Sequence, residues 1–127
     1  FTQLIGYDAA PARGERGLDV TLYWFALRET AQNYKVFVHL LGPDGQIVAQ
    51  SDGEPVGGFT PTTRWKQAQL IPDTHRLQLS GDLPPGEYEL RAGIYELRPG
   101  ETPAFRNLEL APATEDGRIP LGKIAIE

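Results

Sequence analysis

The stretch Leu18-Asp-Val-Thr-Leu-Tyr-Trp-Phe-Ala26 alternates side chains in the way that decides the fold class. Its even-numbered residues are all apolar or aromatic, which is the period-two pattern of a β-strand with one buried face. Two later stretches, Tyr34–Leu40 and Tyr88–Ile94, repeat the pattern on their own even-numbered positions. The three stretches therefore predict strands that share a hydrophobic core.

The opposite faces of these three strands change character along their length. They begin polar and then become aromatic or apolar at Tyr23, Phe25, Phe37, His39, Leu41 and Tyr95. Large exposed apolar areas usually mark a covered surface or a binding site. The sequence therefore predicts that something covers the aromatic end.

Strand patterns recur along the whole chain and are separated by Gly, Pro, Asn or Asp. Short strands at such spacing, with no helical period between them, are typical of antiparallel sandwiches. We predict an all-β fold, an antiparallel β-sandwich of immunoglobulin-like or jelly-roll type with seven to nine strands, as a single domain over residues 1–127. The candidate strands are Gln3–Tyr7, Leu18–Leu27, Tyr34–Leu41, Ile47–Ser51, Trp65–Ile71, Thr74–Leu79, Glu87–Leu97, Ala104–Leu110 and Gly122–Ile126.

The amino-acid composition narrows the classes of molecule that can bind this chain. The 127 residues carry 12 Lys and Arg against 17 Asp and Glu, a net charge of −5. This balance argues against nucleic acid and anionic membrane surfaces as partners. The longest apolar runs, near six residues, are far shorter than the ~20 that cross a bilayer, so we predict no direct membrane insertion. The absence of cysteine excludes disulfides and thiolate chemistry.

The chain contains no methionine and begins with Phe1-Thr2-Gln3 inside a predicted strand. A complete reading frame starts with Met. We therefore expect a domain excised from a larger protein.

Motifs for catalysis are incomplete. Residues 117–123 approach the phosphate-binding loop pattern, but Ile124 replaces the required Ser or Thr, and no helix follows. Ser51 lacks the strand-to-helix turn of a nucleophile elbow. No carboxylate pair can be assigned to glycoside hydrolysis. We predict no catalytic residues, no cofactor and no enzymatic activity.

The two histidines, His39 and His75, could form a metal site with Asp52 and Asp73 only if the fold joined them. Each histidine lies within an alternating apolar strand pattern. We predict instead that both are half-buried and hydrogen-bonded, because buried polar groups are normally paired. No metal is expected.

The segment Asp52–Arg64 is too long and too rich in Gly and Pro for a hairpin turn. Long loops are often functional. Phe59 and the adjacent Trp65 predict that it packs on the domain. Two interpretations remain open: a structural cover over the end that carries Phe37 and His39, or one wall of a ligand groove there.

Several short motifs together carry a family resemblance. They are Leu22-Tyr23-Trp24, residues 36–41, Asp44-Gly45, residues 50–55, Pro61-Thr62-Thr63-Arg64-Trp65, Asp73 and residues 83–88. With these, the chain resembles the C-terminal extracytoplasmic β-sandwich domain of polytopic membrane glycosyltransferase-like proteins of the protein-mannosyltransferase type, common in Chloroflexi. The resemblance implies a non-catalytic accessory domain, tethered through its parent protein to the extracytoplasmic face of the cell membrane.

Two functions follow as expectations. The first is a scaffold or protein-interaction module, with the membrane-embedded part of the parent protein as a partner. The alternative is a carbohydrate-binding module that presents glycan to the parent enzyme. Aromatic residues would stack on sugars, and polar ones would bind hydroxyls. The candidate ligand-binding residues are Tyr23, Phe37, His39, Asp52, Trp65, Asp73 and Tyr95.

Overall fold

A computed structural model describes residues 1–11, 16–102, 104–108, 110 and 117–127 of the chain. Strands account for most of this part. They are β1 (Thr2–Pro11), β2 (Gly17–Ala26), β3 (Lys35–Leu41), β4 (Ile47–Gly53), β5 (Leu70–Gln78), β6 (Gly86–Leu97), β7 (Phe105–Asn107) and β8 (Ile119–Ile126). Two short 3₁₀ turns, Pro55–Gly58 and Thr62–Arg64, lie between β4 and β5. Within the described residues, no helix is both long and apolar enough to span a bilayer.

The strands form two antiparallel sheets. The three-stranded sheet has the order β1-β2-β5, and the five-stranded sheet has the order β4-β3-β6, with β7 and β8 both pairing with β6. β8 pairs with the first half of β6 and β7 with its last residues. The predicted all-β antiparallel sandwich is confirmed.

One side-chain hydrogen bond lies at the start of β6. The hydroxyl of Tyr88 donates to the carbonyl of Pro84, with 2.5 Å between the oxygens. A tyrosine near the start of this strand, bonded to backbone just upstream, is a recurrent corner of immunoglobulin-like sandwiches. The bond therefore anchors the loop before β6 to the start of that strand.

The core lies between the two sheets and follows the predicted alternation. The even-numbered residues of β2 are all buried, and Val36, Val38 and Leu40 of β3 are buried opposite them. The even-numbered residues from Tyr88 to Ile94 complete the layer. The inward faces of all three strands are therefore as predicted.

The β3–β4 hairpin is also as predicted. The amide of Gly45 donates to the carbonyl of Gly42 at 3.0 Å, and the Asp44 side chain accepts from the Gln46 amide at 3.0 Å. Gly45 has a φ of 80°, which a residue without Cβ adopts at little cost. Turn chemistry of this kind can be read directly from sequence.

Several predicted strands differ in extent from the observed ones. Trp65–Ile71 and Thr74–Leu79 were predicted as separate strands, but the chain forms one strand, β5, across Pro72. β5 is an edge strand that pairs only with β2 in its sheet, and an edge strand tolerates proline because one side needs no amide donors. The predicted strand Ala104–Leu110 is shorter, Phe105–Asn107, and position 109 lies outside the described residues.

The segment Asp52–Arg64 does not cover the aromatic end of β3. Its first two residues belong to β4, and the remainder packs at the junction of the sheets, where the first 3₁₀ turn contacts β5. Trp65 is only 1% exposed, as predicted for a packed segment, whereas Phe59 is 84% exposed. The expected structural cover is therefore wrong: the segment closes one end of the core instead.

Candidate functional site

A groove crosses the outer face of the five-stranded sheet and has a volume of about 550 Å³. β4 supplies one side, β3 and the end of β6 supply the base, and β7 supplies the other side. The lining residues are Phe37, His39, Ile47, Gln50, Asp52, Tyr95, Leu97, Ala104, Phe105, Asn107 and Arg118. This is the aromatic end of the sheet that the sequence pattern singled out.

Four rings form a row across the strands of this groove. The centroid of Phe37 lies 4.6 Å from that of His39 and 6.2 Å from that of Tyr95. Tyr95 in turn meets Phe105 edge-on at 5.9 Å. These separations are those of favourable aromatic pairs. Phe37 is 2% exposed and forms the base, whereas Phe105 at the end of the row is half exposed.

The depth of the groove depends on a glycine. Gly93 of β6 is the register partner of Phe37 in β3. A Cβ built on Gly93 would lie 2.4 Å from Cζ of Phe37 and 2.9 Å from the carbonyl oxygen of Gly117. The Phe37 ring can therefore lie flat against the sheet only because position 93 has no side chain.

Asp52 and Tyr95 place polar groups beside the apolar base. Asp52 is exposed at the end of β4 and is the register partner of Phe37. The pKa of the Tyr95 hydroxyl is raised, first by partial burial and then by the negative charge of Asp52 and the hydrogen bond to it. At neutral pH the hydroxyl therefore keeps its proton and can donate a hydrogen bond.

The structure brings together four of the seven predicted ligand-binding residues: Phe37, His39, Asp52 and Tyr95. The other three are elsewhere. Trp65 packs in the core, with its ring centroid 6.4 Å from that of Trp24. A ring that is 1% exposed cannot stack on a sugar, so the prediction for Trp65 is wrong.

Asp73 is also a structural residue. Its side chain is fully buried and accepts hydrogen bonds from Nε1 of Trp24 at 3.2 Å and from the Val56 amide at 2.7 Å. Nε2 of His75 lies 2.7 Å from the same carboxylate. The prediction that Asp73 binds ligand is wrong, because these three groups already surround it in the core.

Thr62 completes this structural network. Its hydroxyl donates to the carbonyl of Gln32 at 2.6 Å and accepts from the Tyr34 amide at 2.9 Å. The side chain is fully buried. Thr62, Trp65 and Asp73, three positions of the family-like motif, therefore fix the Pro55–Arg64 region to the core, whereas His39 and Asp52 of the same motif line the groove.

Tyr23 lies on the outer face of the other sheet. Its hydroxyl donates to the Asp8 carboxylate at 2.6 Å. This hydrogen bond is the largest cause of the raised pKa of the phenol, followed by burial and by the negative charge of Asp8. The prediction that Tyr23 shares a site with Phe37 is therefore wrong. β2 and β3 belong to different sheets, so their outer faces point in opposite directions.

The two histidines are apart as well. His75 is buried beside Asp73, as predicted for a hydrogen-bonded structural histidine, and His39 is half-buried against Phe37. In the described part of the chain, no three His, Cys, Asp or Glu side chains are grouped as metal ligands.

The sequence reasoning missed seven residues of the groove. They are Ile47 and Gln50 of β4, Leu97 of β6, Ala104 just before β7, Phe105 and Asn107 of β7, and Arg118 just before β8. Leu97 continues the odd-numbered face that contains Tyr95, so alternation could have found it. Phe105 depends on the pairing of β7 with β6, which no local pattern reveals.

Comparison of the chain with protein-family models, with curated proteins and with solved structures finds no match. The groove and its chemistry therefore carry the functional argument.

Proposed function

We propose that this chain is a non-catalytic accessory domain that binds a glycan in the groove of its five-stranded sheet. The observation that carries the proposal is the ring row from His39 to Phe105, flanked by the carboxylate of Asp52 and the amide of Gln50. Apolar surface with a few convergent polar groups is the usual composition of a small-ligand site.

The groups in the groove match the two kinds of surface that a sugar presents. The C–H faces of a pyranose ring are apolar and pack on aromatic rings, and Phe105 and Tyr95 both have accessible area for this. Sugar hydroxyls donate and accept hydrogen bonds, which the Asp52 carboxylate and the Gln50 amide can satisfy. In the resemblance drawn from sequence, such a domain would hold glycan close to the membrane-embedded part of its parent protein.

A panel of immobilised oligosaccharides, followed by calorimetry on each positive, tests the proposal. Phe105→Ala and Tyr95→Ala should each weaken binding by about tenfold or more, in line with the loss of an aromatic contact at the centre of a site. Tyr23→Ala, on the outer face of the other sheet, is the matched control and should leave affinity unchanged. The proposal is wrong if no saccharide binds, or if all three variants bind like the wild type.

A protein-interaction function is the second candidate, supported by apolar side chains at the rim. Ile47, Leu97 and Phe105 are each about half exposed, and exposed apolar patches often mark protein interfaces. Leu97→Ser distinguishes the candidates. It should weaken a protein interface strongly and glycan binding little, because an aliphatic side chain offers no stacking face.

A further inference from the structure

We propose that Asp52 makes the groove select uncharged saccharides over sugars that carry a carboxylate. The inference rests on the proposed glycan-binding function and names the class of glycan. It follows from the position of Asp52, from its remaining hydrogen-bonding capacity and from the charges around it.

The position of Asp52 is set by β-strand register. It is the register partner of Phe37, which forms the base of the groove, and it lines the groove together with Tyr95. A ligand that packs on Tyr95 must therefore pass within reach of this carboxylate. Because the base of the groove is apolar, the interaction is less screened than it would be on an open surface.

The carboxylate retains capacity for a ligand. Two carboxylate oxygens offer about four acceptor sites, more than the single hydroxyl of Tyr95 can use. Hydroxyl groups of a neutral sugar can donate to the rest. A sugar carboxylate has no proton to donate at neutral pH and brings a second negative charge to the same place.

The basic residues around Asp52 pair with other carboxylates or belong to another part of the sheet. Three neighbouring basic residues are paired with other carboxylates: Lys35 with Glu54 at 3.0 Å, Arg91 with Glu89 at 2.7 Å, and Arg106 with Glu96 at 2.9 Å. Arg118 also lines the groove, but it stands just before β8, which pairs with β6 and not with β4. Among the described residues, Asp52 forms no ion pair. On the β4 side of the groove, no described basic side chain is therefore paired with the negative charge of Asp52.

The test uses probes that differ only in charge. Hexagalacturonate and its full methyl ester share one backbone, and neutral hexamers of glucose and mannose extend the comparison. Calorimetry at pH 7 in low salt should show the wild-type domain binding neutral hexamers at least about tenfold more tightly than hexagalacturonate, as expected when like charges meet at an interface. The difference in affinity should shrink in 0.5 M NaCl, because the Debye length falls to a few ångströms at about that salt concentration.

Asp52→Asn should raise affinity for hexagalacturonate by about tenfold, since it removes the repelling charge. Asp8→Asn is the matched control: it changes the net charge equally, but Asp8 bonds to Tyr23 on the opposite sheet. If both variants change the affinity for hexagalacturonate equally, or if the wild type binds charged and neutral probes alike, the inference is overturned while glycan binding stands. If no hexamer binds, the proposed function is wrong and the inference falls with it.

Discussion

Replacement of Asp73 by alanine should destabilise the domain by about 3–5 kcal/mol. The side chain accepts three hydrogen bonds, and its loss leaves the donors on Trp24 and His75 unsatisfied in the core, at about 1–3 kcal/mol each. The Val56 amide is only partly buried, so water can replace part of its bond. The total agrees with the usual cost of removing one member of a buried polar pair. Urea unfolding followed by tryptophan fluorescence measures it.

Two further variants locate the origin of the effect. Asp73→Asn keeps one acceptor oxygen but turns an NH₂ group toward donors, so about half of the loss should remain. Asp19→Asn removes a carboxylate that pairs with Arg76 at 3.1 Å across the same two strands but on the exposed face, and should cost less than about 1 kcal/mol. The reasoning is refuted if the free energy of unfolding of Asp73→Ala lies within about 1 kcal/mol of the wild-type value and the denaturant slope is unchanged. The network around Asp73 would then contribute little to the stability of the fold.

Three other variants probe the core, a strained turn and a surface pair. Trp24→Ala should cost about 3–5 kcal/mol in urea unfolding, because it empties the centre of a fully buried layer. Ala68→Gly should raise stability by up to about 1 kcal/mol, because the exposed Ala68 has a φ of 65° that glycine adopts without strain; a lower midpoint would contradict it. Glu54→Gln should lower the melting temperature at neutral pH, because hydrogen bonds from Asn33 and then Lys35 lower the pKa of Glu54. That contribution is present above the unfolded pKa of glutamate and is lost as the pH falls through the folded pKa, so the two melting curves should converge in acid.

The inward faces of the central strands could be predicted because burial in a sandwich alternates strictly along each strand. In β2 every even-numbered residue is buried, whatever its neighbours are. The positions of glycine and proline were a weaker guide to where strands end. It identified the turn at Gly42–Gly45 but also suggested a break at Pro72, which an edge strand absorbs.

The misplaced break explains one error in the candidate site. Ile71, Asp73, His75 and Leu77 are successive inward residues of β5. With a break at Pro72, Asp73 falls in a turn, where a carboxylate is normally exposed and available to a ligand. Continuous alternation through Pro72 would have placed Asp73 in the core beside His75.

The error over Tyr23 has a different origin. Tyr23 and Phe37 occupy equivalent outward positions of two strands that share one core, so alternation alone cannot separate them. Only the pairing of β2 with β1 and β5, and of β3 with β4 and β6, assigns them to different sheets. The groove required that assignment, because its residues come from four strands and meet only through register.

The same register divides the groove into a part that the fold fixes and a part that it leaves free. Phe37 is buried and depends on the missing side chain at Gly93, so a change at either position alters the sheet itself. Asp52 and Phe105 are exposed at the rim, where substitutions usually change stability little. The depth and position of the groove are thus properties of the sandwich, whereas the groups at the rim can change without altering it. Substitutions at Asp52 and Phe105 can therefore test the proposed binding without unfolding the domain.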